Sequence, residues 1–144
     1  MNLKARKPGE VLGNQKLTEQ TIGAAIRVHR ELGPGFLESI YEEAMAVELR
    51  HVGLAFERQK PVPIFYRGHP VGEHRVDLLV ENCVVAELKA IVSVENIHVA
   101  VLRSYLKAHG LADALLINFA EPKLGVKRVG RELYSRADPG EIVL

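Results

Sequence analysis

The stretch Arg75-Val76-Asp77-Leu78-Leu79-Val80-Glu81-Asn82-Cys83-Val84-Val85-Ala86-Glu87-Leu88-Lys89 carries the reading of both fold and chemistry. Its apolar pattern predicts one strand over 73–80, a tight connection at Glu81-Asn82-Cys83, and a second strand over 84–91. Asp77 stands ten residues before Glu87, and Glu87 and Lys89 share one face of their strand because side chains alternate. Two carboxylates can hold a hard divalent cation through oxygen. A lysine beside them can orient or activate a water, or steady the charge that builds on a phosphate.

Strand parity sets a condition on that chemistry. Opposed residues in an antiparallel hairpin have a constant number sum. A two-residue turn pairs Val80 with Cys83 and sends Asp77 and Glu87 to opposite faces. A three-residue loop pairs Val80 with Val84, which sets Asp77 opposite Glu87 and Arg75 opposite Lys89. A shared site therefore requires the odd-length connection or a bulge. Val76, Leu78, Val80, Val84, Ala86 and Leu88 are expected on the apolar face, and Asp77, Glu87 and Lys89 on the other, beside Leu79 and Val85. Three charges on so apolar a hairpin are costly to bury. The competing reading is a buried or edge Asp–Lys–Glu ion network.

On either side of this hairpin the chain reads as helices and further strands. Leu17-Thr18-Glu19-Gln20 opens a helix with Thr18 as its N-cap, stopped by Gly33-Pro34-Gly35. A second helix runs over 37–51 to Gly53, followed by strand material at 54–57 and 62–67 and a turn at Arg67-Gly68-His69-Pro70. A third helix is expected over 94–109, ended by Gly110, then strands over 114–119 and 126–129. This order predicts an α/β fold with a mixed sheet flanked by helices. Residues 1–16 read as a loose arm, 17–130 as the domain, and 131–144 as a tail or strand extension.

At 144 residues the chain is sized for one domain, and 47% apolar with 26% charged residues is ordinary for a soluble globular protein. No apolar run approaches the roughly 20 residues of a membrane span, and no apolar segment follows the basic N-terminus, so neither a membrane role nor a secretory signal is expected. Cys83 is the only cysteine, which excludes an intramolecular disulfide and a thiolate zinc site within one chain; a cytoplasmic setting is expected. A net charge of +1 means that any phosphate-binding surface must be local. Its candidates are Lys123, Lys127, Arg128 and Arg131, with Arg103 and Lys107 on the preceding helix; the alternative is a solvated basic face.

Glu38 and Tyr41 share a helix face. Glu38 is either a first-turn acid favoured by the helix dipole or an added member of the cleft. Tyr41 and Tyr105 are candidates for contact with nucleic acid or for the core. The six histidines show no metal spacing, and His98, just after the Glu-x-Lys strand, is the one of interest.

Gly35-x-x-Glu38-x-x-Tyr41 resembles the signature after which the GxxExxY proteins are named. The resemblance extends through His29 to Glu38, Arg75 to Val80, Val85 to Ala90, Ser104-Tyr105-Leu106-Lys107, Leu116 to Phe119 and Lys127-Arg128, nearly all of 17–129. That family resembles compact members of the PD-(D/E)XK nuclease superfamily. The resemblance implies a restriction-endonuclease-like core with a Mg²⁺ or Mn²⁺ site. Asp77 and Glu87 would be its metal ligands, Lys89 would position or activate the attacking water, and Glu38 would be an additional acid. Two positions depart from the pattern. Val76 stands where the superfamily has its naming proline, and Val101 stands where related nucleases place a glutamine four residues before the tyrosine. The expected activity is hydrolysis of DNA phosphodiesters. The alternatives are a non-cleaving module of the same fold that binds nucleic acid or a protein partner, and a homo-oligomer built through an edge strand.

Overall fold

The computed structural model describes residues 14–131 and 141–143. Residues 1–13 of the predicted arm (1–16) and most of the tail lie outside the described residues. Helices α1 (Gln15–Leu32) and α2 (Glu38–His51) lead into strands β1 (Phe56–Tyr66), β2 (His69–Val80) and β3 (Val84–Lys89). Helix α3 (Asn96–His109), β4 (Asp113–Asn118), β5 (Gly125–Gly130) and β6 (Glu141–Val143) follow. The six strands form one sheet in chain order, antiparallel throughout except for the parallel β3–β4 pair that α3 connects. This is the mixed α/β sheet expected, and no helix among the described residues is long and apolar enough to cross a membrane.

Each face of the sheet has its own core. Leu78, Val80, Val84, Ala86, Leu88, Leu115 and Ile117 pack with Leu17, Ala24, Met45 and Leu49 of α1 and α2. Leu79, Val85, Ala114, Leu116 and Val129 pack with Val99, Leu102, Tyr105 and Leu106 of α3. In β3 and β4 alternate residues go to the two cores, the period-2 signal of strands covered on both faces.

Helix α1 starts earlier than expected. Asn14 is its N-cap and is buried, its Nδ2 donating to Asp113 Oδ2 at 2.8 Å. Thr18 is buried inside the helix instead of capping it. Residues 14–16 thus belong to the folded domain, not to the arm. The two predicted strand segments at 54–57 and 62–67 are one strand, β1, running through Pro61 and Pro63. Those prolines interrupt the sequence pattern. An edge strand tolerates them because half its N–H groups have no partner strand to serve.

Candidate functional site

The connection between β2 and β3 has the odd length that a shared site demands. Glu81 and Asn82 both take left-handed backbone (φ 52° and 57°), and Cys83 N–H closes the turn on Val80 O at 2.9 Å. Val80 then pairs with Val84, Leu79 with Val85 and Leu78 with Ala86, which brings Asp77 level with Glu87. At that level the regular pairing ends. Asp77 N–H donates to Glu87 Oε1 at 2.7 Å, and Leu88 N–H donates to Asp77 Oδ2 at 2.8 Å. Each acid therefore fills a backbone position that the ladder leaves open.

A matching break lies on the other side of β2. Arg58 pairs with Leu78 and Lys60 with Val76, while Gln59, opposite Asp77, drops out of the register with φ 49°. A left-handed conformation is costly for a residue with a Cβ. Here it lets two successive side chains reach one helix carboxylate. Arg58 Nε donates to Glu42 Oε2 at 2.9 Å, and Gln59 Nε2 donates to Glu42 Oε1 at 2.7 Å and to Asp77 Oδ1 at 3.0 Å. Across this break Val76 joins the α3 core while Leu78 joins the α1–α2 core. The expectation that Val76 and Leu78 share a face is corrected by that break.

The electrostatics follow from this placement. Burial raises the Asp77 carboxyl above its ordinary range, against the Leu88 N–H and Gln59 hydrogen bonds that favour the charged form. Burial and then the neighbouring Asp77 charge push Glu87, which is 7% exposed, up to about 7. The Asp77 N–H and the Lys89 ammonium oppose that shift, and Glu38 adds to it. Lys89 thus acts on both acids through its field. Glu38 begins α2 at the exposed rim, where its Oε2 accepts Ala90 N–H at 3.1 Å just beyond β3.

The remaining candidates separate. Tyr41 is wholly buried, stacked on Phe119 with ring centroids 4.4 Å apart. Its hydroxyl donates to Gly33 O at 2.6 Å and accepts Phe36 N–H at 3.2 Å. It is a core residue that ties down the glycine turn, not a nucleic-acid contact. Tyr105 is 6% exposed and packs in the α3 core. Its hydroxyl is pushed up by burial and by the Glu57 and Glu87 charges, so it backs the site without presenting a surface to nucleic acid. Lys107 is exposed on α3, and Arg103 Nε donates to Gly130 O at 3.3 Å. Glu87, Leu116 and Lys127 are successive register partners across β3, β4 and β5, which sets Lys127 on the Glu87 face about 10 Å away. Arg128 follows Lys127 on β5 and so lies on the other face, which splits the predicted basic surface. His98 Nδ1 accepts Glu95 N–H at 2.9 Å in a capping box that starts α3, so it serves the helix terminus.

Gln59 and Glu42 are missing from the sequence reading. Glu42 carried a usable signal, since it follows Glu38 by one helical turn and shares its face. Gln59 carried none, because its position depends on a backbone irregularity.

Asp77 and Glu87 suit a hard cation. Both are oxygen donors, and each is held above its ordinary pKa first by burial, a penalty on the charged form that a bound cation would offset. Among the described residues no three acids, histidines or cysteines form a ready-made metal cage. A Mg²⁺ ion does not need one, because it keeps several waters and commonly uses one or two carboxylates plus substrate oxygens.

A family model of the PD-(D/E)XK nuclease superfamily matches residues 15–129. No curated protein and no solved structure matches the chain. The matched segment runs from the start of α1 through β5, taking in both acids, the lysine and a mixed sheet consistent with a restriction-endonuclease-like core. The chain belongs to the PD-(D/E)XK nuclease superfamily.

Proposed function

We propose that this protein is a small metal-dependent nuclease hydrolysing DNA phosphodiester bonds, and that within its superfamily it falls in the GxxExxY group. The observation that carries the reading is the reciprocal bonding of Asp77 and Glu87 where β2 and β3 part, with the Lys89 charge bearing on both. Bound Mg²⁺ or Mn²⁺ would supply positive charge against the phosphate and lower the pKa of a bound water. Asp77 and Glu87 would hold that ion. Glu87 must be ionised to do so, which its raised pKa opposes and a cation favours. Lys89 orients the attacking water and steadies charge on the phosphate. Glu38, bonded to Ala90 N–H at the mouth, adds negative charge near Glu87 and fixes the chain leaving β3. Lys127, in the Glu87 row, offers a cation to the nucleic-acid backbone. Arg103 and Lys107 extend that side along α3. The single cysteine, Cys83, is buried, which suits a reducing, cytoplasmic setting.

The test is cleavage of single- and double-stranded DNA with Mn²⁺ or Mg²⁺ by the wild type and by Glu87→Ala. Cleavage by the wild type alone is the expected result. Equal activity in both proteins overturns the assignment. DNA binding without metal binding or cleavage by the wild type leaves the non-cleaving module in its place.

A further inference from the structure

The β1–β2 hairpin continues well past the two cores. Val62 and Val76 are its last buried apolar residues. Beyond them both strands are almost wholly exposed as far as the turn, where Arg67 and Gly68 take left-handed backbone (φ 52° and 79°) and Tyr66 pairs with His69. The result is an arm that no helix covers. Its end displays Ile64, Phe65, Tyr66 and Val71, 49–63% exposed, with the Arg67 guanidinium 5.7 Å over the Tyr66 ring. Lone exposed apolar residues need no explanation, but four on one hairpin tip, divided between its two faces because side chains alternate, leave the tip apolar on both sides.

Charge and backbone narrow the occupant. Lys60 is paired with Glu57 at 3.0 Å and Arg75 with Glu73 at the root of the arm, and between Pro61 and Gly72 the arm carries Arg67, with His69 beside it, and no acid. β1 is the open edge of the sheet. Pro61 and Pro63, which pair with Arg75 and Glu73, lack the N–H that an added strand would use. Strand addition by a second copy is therefore blocked along this edge. Aromatic rings beside cationic groups are the means by which proteins hold unpaired bases, each ring stacking a base while the cations meet phosphates. The arm is also rooted in the site, since Gln59 and Asp77 face each other at its base. From Asp77 to Val71 is six residues, so the tip reaches about 20 Å from the carboxylates.

We infer that the β1–β2 arm is a nucleic-acid grip, in which Phe65 and Tyr66 stack unpaired bases and Arg67 meets the adjacent phosphate, about 20 Å from the bond presented to Asp77 and Glu87. The inference rests on the nuclease reading for the bond that is cut, and stands apart from it for binding. The test compares wild type with Phe65→Ser/Tyr66→Ser, both of known folding by circular dichroism. Binding of a fluorescent single-stranded 20-mer is followed by anisotropy in EDTA, and metal-dependent turnover is followed on bis(p-nitrophenyl) phosphate, a diester too small to reach the arm. The expected result is a ten- to hundredfold weaker grip on the 20-mer with turnover of the small diester unchanged. Arg67→Ala should weaken binding less and lower its salt dependence by about one ion. An unchanged 20-mer affinity overturns the inference. So does a double variant that turns a wild-type dimer into a monomer by sedimentation while keeping its affinity for DNA, since the patch would then be a contact between copies. Binding as expected with no turnover by the wild type leaves the arm in place and removes the nuclease reading instead.

Discussion

Val84, Val85 and Ala86 are paired on both sides, with β2 and with β4, whereas Glu87, Leu88 and Lys89 keep only β4 as a regular partner. The first half of β3 satisfies its backbone through its neighbours' backbones, so its side chains are free to be apolar, and all three are buried. In the second half the open positions are filled by side chains, with Glu87 accepting from Asp77 N–H and Asp77 from Leu88 N–H. The ion-network reading of these acids is thereby narrowed. What holds them is backbone and Gln59, and the lysine acts on both through its charge. An arrangement that needed only stability would extend the apolar pairing by one more row.

The largest expected effect separates two neighbours on that half-strand. Glu87→Gln keeps an acceptor for Asp77 N–H, so the fold should hold while metal-dependent DNA cleavage falls by about a thousandfold or more, the scale of removing a group that acts only on the reacting centre. Leu88→Ala removes a side chain that is 1% exposed in the α1–α2 core. It should cost about 2–5 kcal/mol in urea unfolding, with cleavage per folded molecule nearly unchanged. If Leu88→Ala loses cleavage as completely as Glu87→Gln, the two functions of β3 are not divided by residue.

A second difference between the halves is pH dependence. Glu87 moves from an ordinary 4.5 to about 7 on folding. Between those values the native state binds more protons than the unfolded state, so stability falls as pH rises through the window. At 1.36 kcal/mol per unit the loss is at most about 3 kcal/mol. Metal-free wild type should therefore melt lower at pH 8 than at pH 5, and Glu87→Gln should flatten that slope. Mn²⁺ should restore the wild type at pH 8 and leave the variant unmoved. A wild-type melting temperature that does not change with pH would mean that the acid is better compensated than its burial indicates.

How much of this was written in the sequence depends on whether backbone regularity held. The Asp77 to Glu-x-Lys spacing and the odd connection after Val80 obey strand parity, and parity is a sequence property. The ends of α2 and α3 were legible for the same reason, with Gly110 adopting the left-handed C-cap that ends α3. Tyr41 was not legible, because helical spacing places it on the Glu38 face but does not say that Phe119, far along the chain, stacks on it. The separation of Lys127 from Arg128 was legible by alternation on β5. Gln59 and the split between Val76 and Leu78 were hidden, because both lie at a break in strand pairing that no pattern of residue types announces.

That break offers a finer comparison. Gln59→Gly relieves the left-handed φ but removes the carboxamide that joins Asp77 to Glu42. Gln59→Ala removes the carboxamide and keeps the strain. If the conformation is held for the sake of the contact, both variants should lose activity by about tenfold, the scale of one charge-assisted hydrogen bond, with glycine the more stable of the two. Equal stability would place the cost of the left-handed turn elsewhere. Wild-type activity in both would make Gln59 a strand irregularity without consequence for the acids.

The smallest effect belongs to Tyr41, where site and core come closest. Tyr41→Phe keeps the ring on Phe119 and deletes the hydroxyl that bridges Gly33 O and Phe36 N–H. The ring sits in the α1–α2 core while the hydroxyl reaches the turn that precedes Glu38. Removing it leaves Gly33 O and Phe36 N–H without this partner, at a cost of about 1 kcal/mol in unfolding. DNA affinity should not change, because a side chain with no exposed surface has nothing to offer a phosphate or a base. A fall in DNA affinity without a fall in stability would mean that the turn, through Glu38, sets the geometry of the site mouth, and would move Tyr41 from the core to the machinery of the site.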